Sequence, residues 1–125
     1  MIHLDTHAVV WLYAGDVRMF PPAARRRLER EELRISPIVA LELDYLYEID
    51  RIAEGATAVL RELERVLGLV QDNVDFASLV AAARGLTWTR NPFDRLIVGN
   101  AEISAVPLLT KDRTIRQHYR HATWG

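Results

Sequence analysis

Short apolar runs alternate along the chain with longer stretches in which apolar residues recur every three or four positions. The short runs are typical of buried strands, and the longer stretches are typical of amphipathic helices. We predict strands at residues 2–4, 33–35, 69–71 and 106–110, and a closing edge strand within 121–124. We predict helices from residue 8 to near 15, at 23–32, from 37 to about 51, at 56–67 and 74–84, and from 92 to about 103, and a short helix after 112.

This order of elements predicts an α/β fold. When strands alternate with helices along a chain, the strands tend to pair in parallel and the helices cover both faces of the sheet. The length of 125 residues is that of one domain. We therefore expect a single domain, residues 1–125, with three α/β/α layers and a central, mostly parallel, twisted sheet of four to five strands.

The composition excludes several classes of protein. No stretch approaches the roughly 20 apolar residues of a membrane span, and the opening residues lack the basic and apolar regions of a secretory signal. The absence of cysteine excludes disulfides, thiolate zinc sites and cysteine nucleophiles. A net charge of −1 excludes a generic, strongly basic nucleic-acid binder. We therefore expect a cytoplasmic protein without membrane contact.

Two aspartates follow predicted strands. Asp5 comes immediately after the first strand, and Asp112 lies two residues past the apolar run of the late strand. In open parallel sheets, ligands bind outside the carboxyl ends of the strands, so both side chains are expected at the same edge. Each aspartate also has a structural explanation, because such a residue often caps the next helix.

Glu42 lies on an apolar stripe of its predicted helix, four residues after Ile38 and four before Leu46. A buried carboxylate is costly unless it is paired or coordinates a metal. Glu42 is therefore a candidate metal ligand, and a buried ion pair with Arg34 or Arg51 is the alternative.

Asp94 lies in the first turn of the helix that is predicted to begin after Asn91. The helix dipole alone favours a negative charge there. The functional interpretation is that Phe93 and Ile97 dock the helix while Asp94 faces the same site as the other acids.

Four carboxylates at one sheet edge repel one another and raise each other's pKa. A divalent cation relieves this repulsion, and magnesium and manganese prefer oxygen ligands. The four histidines offer no metal-binding spacing as an alternative. We therefore predict that the catalytic residues and the ligands of Mg²⁺ (or Mn²⁺) are the same four acids: Asp5, Glu42, Asp94 and Asp112.

The segments around these acids match the motifs of a known family. In chain order they read IHLDTH, ISPIVALEL, NPFDRLIV and LLTKD. With these four motifs the chain resembles PIN domains over nearly its whole length, and specifically the VapC-type toxins of type II bacterial toxin–antitoxin pairs. It departs from the pattern at Asn91, where many relatives have aspartate, but every inner acid is present.

The resemblance implies a PIN fold and a metal-dependent endoribonuclease that hydrolyses phosphodiester bonds, often in transfer or ribosomal RNA. It also implies a cognate antitoxin and commonly a homodimer. By motif, Thr6 and Thr110 carry over as polar supports beside the acids.

Three basic residues near the acids are candidate phosphate or RNA contacts, namely Arg95, Lys111 and Arg113. Arginine matches phosphate through its planar guanidinium, and it supplies all of the 16 basic residues except Lys111. Genomic base composition also explains this bias. Each of the three is equally explained as a surface charge that pairs with a nearby acid.

Two other functions remain open. The chain is alternatively a non-catalytic RNA- or protein-binding module, although carboxylates repel phosphate. The second alternative is a magnesium-binding phosphoacceptor domain, in which Asp72 would be the phosphorylated residue.

The helices from 34 to 65 carry more apolar residues than one sheet face covers, and we expect part of that surface to bind an antitoxin segment or a second subunit. The residues concerned are Leu43, Tyr45, Leu46, Tyr47, Ile49 and Ile52.

Overall fold

The computed structural model describes all 125 residues, Met1–Gly125. The strands are β1 (Ile2–Leu4), β2 (Leu33–Ile35), β3 (Val70–Gln71), β4 (Leu108–Leu109) and β5 (Ala122–Thr123). The helices are α1 (Thr6–Tyr13), α2 (Pro22–Arg30), α3 (Pro37–Glu48), α4 (Ala56–Leu67), α5 (Phe76–Arg84), α6 (Pro92–Ser104) and α7 (Arg113–His118), with one 3₁₀ turn at Val17–Met19. The α/β prediction is confirmed, and all five strands are parallel.

The sheet has the order β3-β2-β1-β4-β5, with β1 at its centre. His3 of β1 is aligned with Arg34 of β2 on one side and with Leu108 of β4 on the other. All three residues of β1 are buried, as is typical of a parallel strand with helices on both faces.

The chain changes direction across the sheet at β1. It first moves outwards through β2 to β3, and then returns past β1 to β4 and β5. Because crossovers between parallel strands are right-handed, the helices before and after this reversal cover opposite faces of the sheet. The carboxyl ends of β1 and β4 therefore form the switch point at which open α/β sheets bind ligands.

Five helices begin at polar caps. In each case the side chain accepts a hydrogen bond from a backbone N–H group of the first turn, and the residues are Asp5, Ser36, Asp75, Asn91 and Asp112. Such caps satisfy N–H groups that have no partner within the helix. Two of these caps are also candidate site residues, so their local geometry is fixed by the helices they begin.

The predicted boundaries were wrong in two places where the backbone leaves regular structure. Helix α3 ends at Glu48 rather than near residue 51, because Asp50 adopts a left-handed conformation with φ 60°. The predicted strand at 106–110 contains only the two residues of β4, because the N–H of Val106 bonds back to Ala101 in α6.

The apolar surface of α3 and α4 is divided between core and exterior. Leu43 is buried, and Leu46 and Ile52 are half-buried. Tyr45 and Tyr47 are exposed. Ile49, and also Val66 and Leu67 of α4, are exposed as well, because α4 packs on α1 and α3 rather than along the sheet. No helix in the structure combines the length and the hydropathy that crossing a bilayer requires.

A polar cluster around Asp72 fastens α6 to the sheet. The Asp72 carboxylate accepts hydrogen bonds from Asn100 Nδ2 at 2.8 Å and Ser104 Oγ at 3.1 Å, both on α6. It also accepts one from Arg34 Nη1 on β2 at 3.1 Å. Burial acts to raise the pKa of Asp72, but the three hydrogen bonds outweigh it and lower that pKa. Helix α6 carries Asp94 in its first turn, so this cluster also bears on the position of that residue.

We expect Asp72→Ala to lower the free energy of unfolding by about 2 kcal/mol, because it leaves three donors without their charged acceptor. Urea unfolding measures the change. The matched control is Glu62→Ala, which removes an exposed carboxylate paired with Arg65 three residues away and should change stability little. Equal losses in the two variants would show that the Asp72 cluster contributes no more than a surface pair.

Candidate active site

The four predicted acids line one pocket of about 610 Å³ at the carboxyl ends of β1 and β4. Asp5 immediately follows β1, and Asp112 follows β4 after a short turn. Glu42 reaches the pocket from α3, and Asp94 reaches it from the first turn of α6. Four separate elements thus bring their carboxyl groups to one place.

Two buried threonines join three of these acids. The backbone N–H of Thr6 donates to Asp5 Oδ1 at 2.6 Å, while its hydroxyl donates to Glu42 Oε1. The hydroxyl of Thr110 donates to Asp5 Oδ2 at 2.6 Å and accepts from the backbone N–H of Asp112 at 3.1 Å. Both Asp5 oxygens are therefore held, and Thr6 and Thr110 lie where the motifs predict polar supports.

The surroundings of the carboxyl groups disfavour their charged forms. Burial raises the pKa of Asp5, against hydrogen bonds from Thr110 and Thr6 that lower it. Burial also raises the pKa of Glu42, and the Asp5 charge adds to this effect. For Asp94, burial followed by the charges of Asp5, Asp112 and Glu42 raises the pKa to about 7. Full ionisation of these acids is therefore unfavourable unless a positive charge binds among them.

Glu42 has no cationic partner. Arg34 pairs with Glu32 and Asp72 instead, and Arg51 is exposed. The alternative of a buried ion pair for Glu42 is therefore wrong. Glu42 as a residue is only 8% exposed, and its carboxyl group accepts a hydrogen bond from the Thr6 hydroxyl. Burying a carboxylate with so little compensation is typical of a functional group.

The chemistry of the pocket fits a hard divalent cation. Its candidate ligands are carboxylate oxygens, which magnesium and manganese prefer. No three acidic or histidine side chains come close enough together to hold an ion by themselves. Magnesium usually keeps several waters and takes only one or two carboxylates directly. The separation of the acids is therefore compatible with a partly hydrated magnesium ion.

Other residues complete the wall of the pocket. Lys111 and Arg113 line it, as expected for phosphate contacts, but Arg95 does not. The Nε of Arg95 instead donates to the Thr89 carbonyl at 2.8 Å, which corrects the expectation that Arg95 faces the site. The sequence analysis did not single out four lining residues, His7, Trp11, Arg116 and Trp124, and it noted Asn91 only as a departure from the motif.

For two of these residues, the sequence contains a pattern that indicates a position at the pocket. Arg116 lies four residues after Asp112, so the two share a face of α7. Trp124 follows β5, and residues after parallel strands gather at one edge of the sheet. For His7 and Trp11 it contains no such pattern, because their position depends on how α1 leaves the sheet.

Asp72 does not line this pocket. Its carboxylate is occupied by Arg34, Asn100 and Ser104. The phosphoacceptor hypothesis required Asp72 as the reactive acid at the site, so that hypothesis is wrong.

Comparison with known proteins places the chain among nucleases. The model of the PIN domain family matches residues 2–120. The chain is similar to "Ribonuclease VapC22" of Mycobacterium tuberculosis, with 33% identity over 120 residues, 94% of this chain and 91% of the relative. Among solved structures it is similar to that of VapBC2 from Rickettsia felis bound to a DNA fragment from their promoter. That likeness has a TM-score of 0.66 over 94% of this chain and 92% of the other, and its 18% identity supports the fold alone.

We expect Asp94→Asn to raise the melting temperature of the metal-free protein at pH 8 and to raise it by less at pH 5. The pKa of Asp94 is about 7 in the folded protein and 3.8 without perturbation, so the folded state binds the extra proton. Stability from this group is therefore present below pH 4 and falls as the pH rises towards 7. The amide mimics the protonated acid and removes the repulsion.

Thermal unfolding in a chelator at the two pH values measures this effect. The control is Asp75→Asn, at an exposed cap whose pKa is lowered by hydrogen bonds from Ser78, and it should not be stabilised at either pH. A stabilisation by Asp94→Asn of the same size at pH 5 and pH 8 would contradict the electrostatic explanation.

Proposed function

Since the chain belongs to the PIN domain family, we propose that it is a divalent-metal-dependent endoribonuclease and the toxin of a toxin–antitoxin pair. The observation that carries this proposal is the meeting of four carboxyl groups in one pocket, where Asp5 and Glu42 are buried without an ion pair. The similarity to a protein named as a ribonuclease supports RNA as the substrate.

We assign Asp5, Asp94 and Asp112 as the residues that would hold the ion, Mg²⁺ or Mn²⁺, directly or through water. When bound, the ion neutralises charge on the phosphoryl group and lowers the pKa of a water molecule. Glu42 would bind the ion through a water molecule or orient the water that attacks phosphorus. Thr6 and Thr110 hold the acids in place through the hydrogen bonds described above.

The basic residues of the pocket supply phosphate contacts. Lys111 and Arg113 lie beside Asp112, and none of the ion pairs in the structure involves them. Their charges are therefore available to a phosphodiester that approaches the acids. Hydrolysis then adds water to phosphorus and breaks one P–O bond of the RNA backbone.

A non-catalytic binding role fits the pocket less well. A protein that only retains RNA gains nothing from four carboxylates at the binding site, because they repel phosphate. Their retention together, with supporting threonines, favours catalysis.

The exposed apolar residues of α3 support a partner surface. Leu41 and Tyr45 are exposed one turn apart on the same face of α3, and Ile49 follows one turn later at its end. Contiguous apolar surface of this kind marks interaction sites on soluble proteins. We propose that this α3 patch binds the cognate antitoxin, as the VapB–VapC assembly of the structural neighbour suggests, or a second copy of the chain.

We expect the wild-type protein to cleave RNA with added Mg²⁺ or Mn²⁺ and to lose this activity in a chelator. Asp5→Asn and Asp94→Asn should each lower the cleavage rate by at least about 100-fold, because each removes a charge that the ion requires. Gel analysis of a labelled RNA pool measures the rates. Asp75→Asn, far from the pocket, is the control that should cleave normally. Unchanged cleavage in both site variants would remove these acids from the mechanism.

We expect Leu41→Arg together with Ile49→Arg to weaken association with the antitoxin or with a second chain, because both place a charge in an apolar interface. Co-purification with the product of the adjacent gene and light scattering measure the two associations. Val17→Arg, at an exposed apolar residue outside α3, is the control. A double variant that behaves as the wild type in both measurements would exclude the α3 patch as the interface.

A further inference from the structure

The pocket that holds the acids also has an aromatic side. Of the 11 residues that line it, the only two hydrophobic ones are Trp11 and Trp124. Trp11 lies in α1 and Trp124 follows β5, so the two indoles come from opposite ends of the chain. All remaining lining residues are charged or polar. A ligand that fills the pocket therefore meets apolar surface only at these two rings.

The two indoles form a fixed aromatic platform. Their ring centroids lie 5.5 Å apart at an interplanar angle of 64°. Phe20, which is only 1% exposed, contacts both rings, with centroids 5.0 Å from Trp124 and 6.3 Å from Trp11. Since a buried side chain supports both indoles, a ligand that stacks on them does not have to order them first.

Cationic groups surround this platform. Lys111 Nζ lies 5.8 Å from the centroid of the Trp11 ring. Arg116 Nη2 donates to the backbone carbonyl of Lys111 at 3.0 Å, which holds the Arg116 guanidinium beside the chain at Lys111. Neither residue takes part in any of the ion pairs of the structure. The platform thus combines the pocket-facing surfaces of two mutually inclined indoles with positive charge that no ion pair neutralises.

A nucleotide has the matching chemistry, because its base offers a flat π face and its phosphate a negative charge. Aromatic residues beside lysine and arginine are the means by which proteins hold single-stranded nucleic acids. A volume of about 610 Å³ lies within the range of pockets that enclose small molecules. The acids and the platform line the same pocket, so a base on the platform is adjacent to the bond that the acids would cleave.

We propose that Trp11 and Trp124 form a nucleobase-stacking subsite, which holds the base next to the scissile phosphate and makes an unpaired base a requirement for cleavage. This inference rests on the proposed nuclease function. A base within a duplex already stacks on its neighbours and is not available to the indoles. The subsite therefore selects the position of the cut within a loop or single strand, while the acids carry out hydrolysis.

The test compares cleavage of a short single-stranded RNA with that of the same RNA lacking one base beside the cleaved bond. In the wild type, loss of the base should lower kcat/KM about tenfold or more. In Trp124→Leu the two substrates should differ by less than about twofold, because the stacking partner has gone and the two losses are not additive. Trp88→Leu is the matched control. Trp88 stacks on His118, with centroids 4.8 Å apart, outside the pocket, so this variant should discriminate as the wild type does.

A second measurement does not depend on cleavage. In a Trp88→Phe, Asp94→Asn double variant, indole emission comes only from Trp11 and Trp124. Oligoadenosine should quench it, and an abasic ribose-phosphate oligomer of the same length should not. If the wild type cleaves no RNA but this quenching occurs, the nuclease proposal fails and the subsite stands. Equal discrimination by wild type and Trp124→Leu, or equal quenching by both oligomers, overturns the subsite.

Discussion

The crowding of carboxyl groups at the carboxyl ends of β1 and β4 is the constraint on which the rest of the structure depends. Burial and mutual repulsion raise the pKa of Asp5, Glu42 and Asp94, and the last reaches about 7. A folded chain that contains this repulsion needs other groups to hold the acids in place. Thr6 and Thr110 do so by direct hydrogen bonds, and the divalent cation that we propose would complete the compensation.

Helix capping and site formation are one arrangement here rather than two competing explanations. Asp5 caps α1 and Asp112 caps α7 while both line the pocket. Asn91, the departure from the family motif, caps α6 through Phe93 and Asp94 N–H groups. Its neutral amide adds no charge to the crowded site. Local backbone requirements thus fix the direction of side chains that the chemistry also uses.

The sequence predicted what depends on local pattern and missed what depends on tertiary order. The carboxylate of Glu42 on an apolar stripe, and the acids after two strands, were sufficient to indicate one shared edge. Trp11 carries no such mark, because an indole in an amphipathic helix is explained equally well as part of the core. The position of Trp124 after the last strand indicated the same sheet edge, but it was not used. Arg95 was misplaced for the opposite reason, since its proximity to Asp94 in the chain does not set the side of α6 it occupies. The ends of α3 and β4 depend on single backbone conformations that no periodicity reveals.

The hydrogen bond between Thr110 and Asp5 joins positions 105 apart in the chain. The central strand therefore stays unpaired on one side until β4 is available, which gives the fold a high contact order and slow closure. During translation β1 leaves the ribosome first, and its neighbour β4 is synthesised much later. A nascent chain thus has no assembled nuclease site until β4 has left the ribosome.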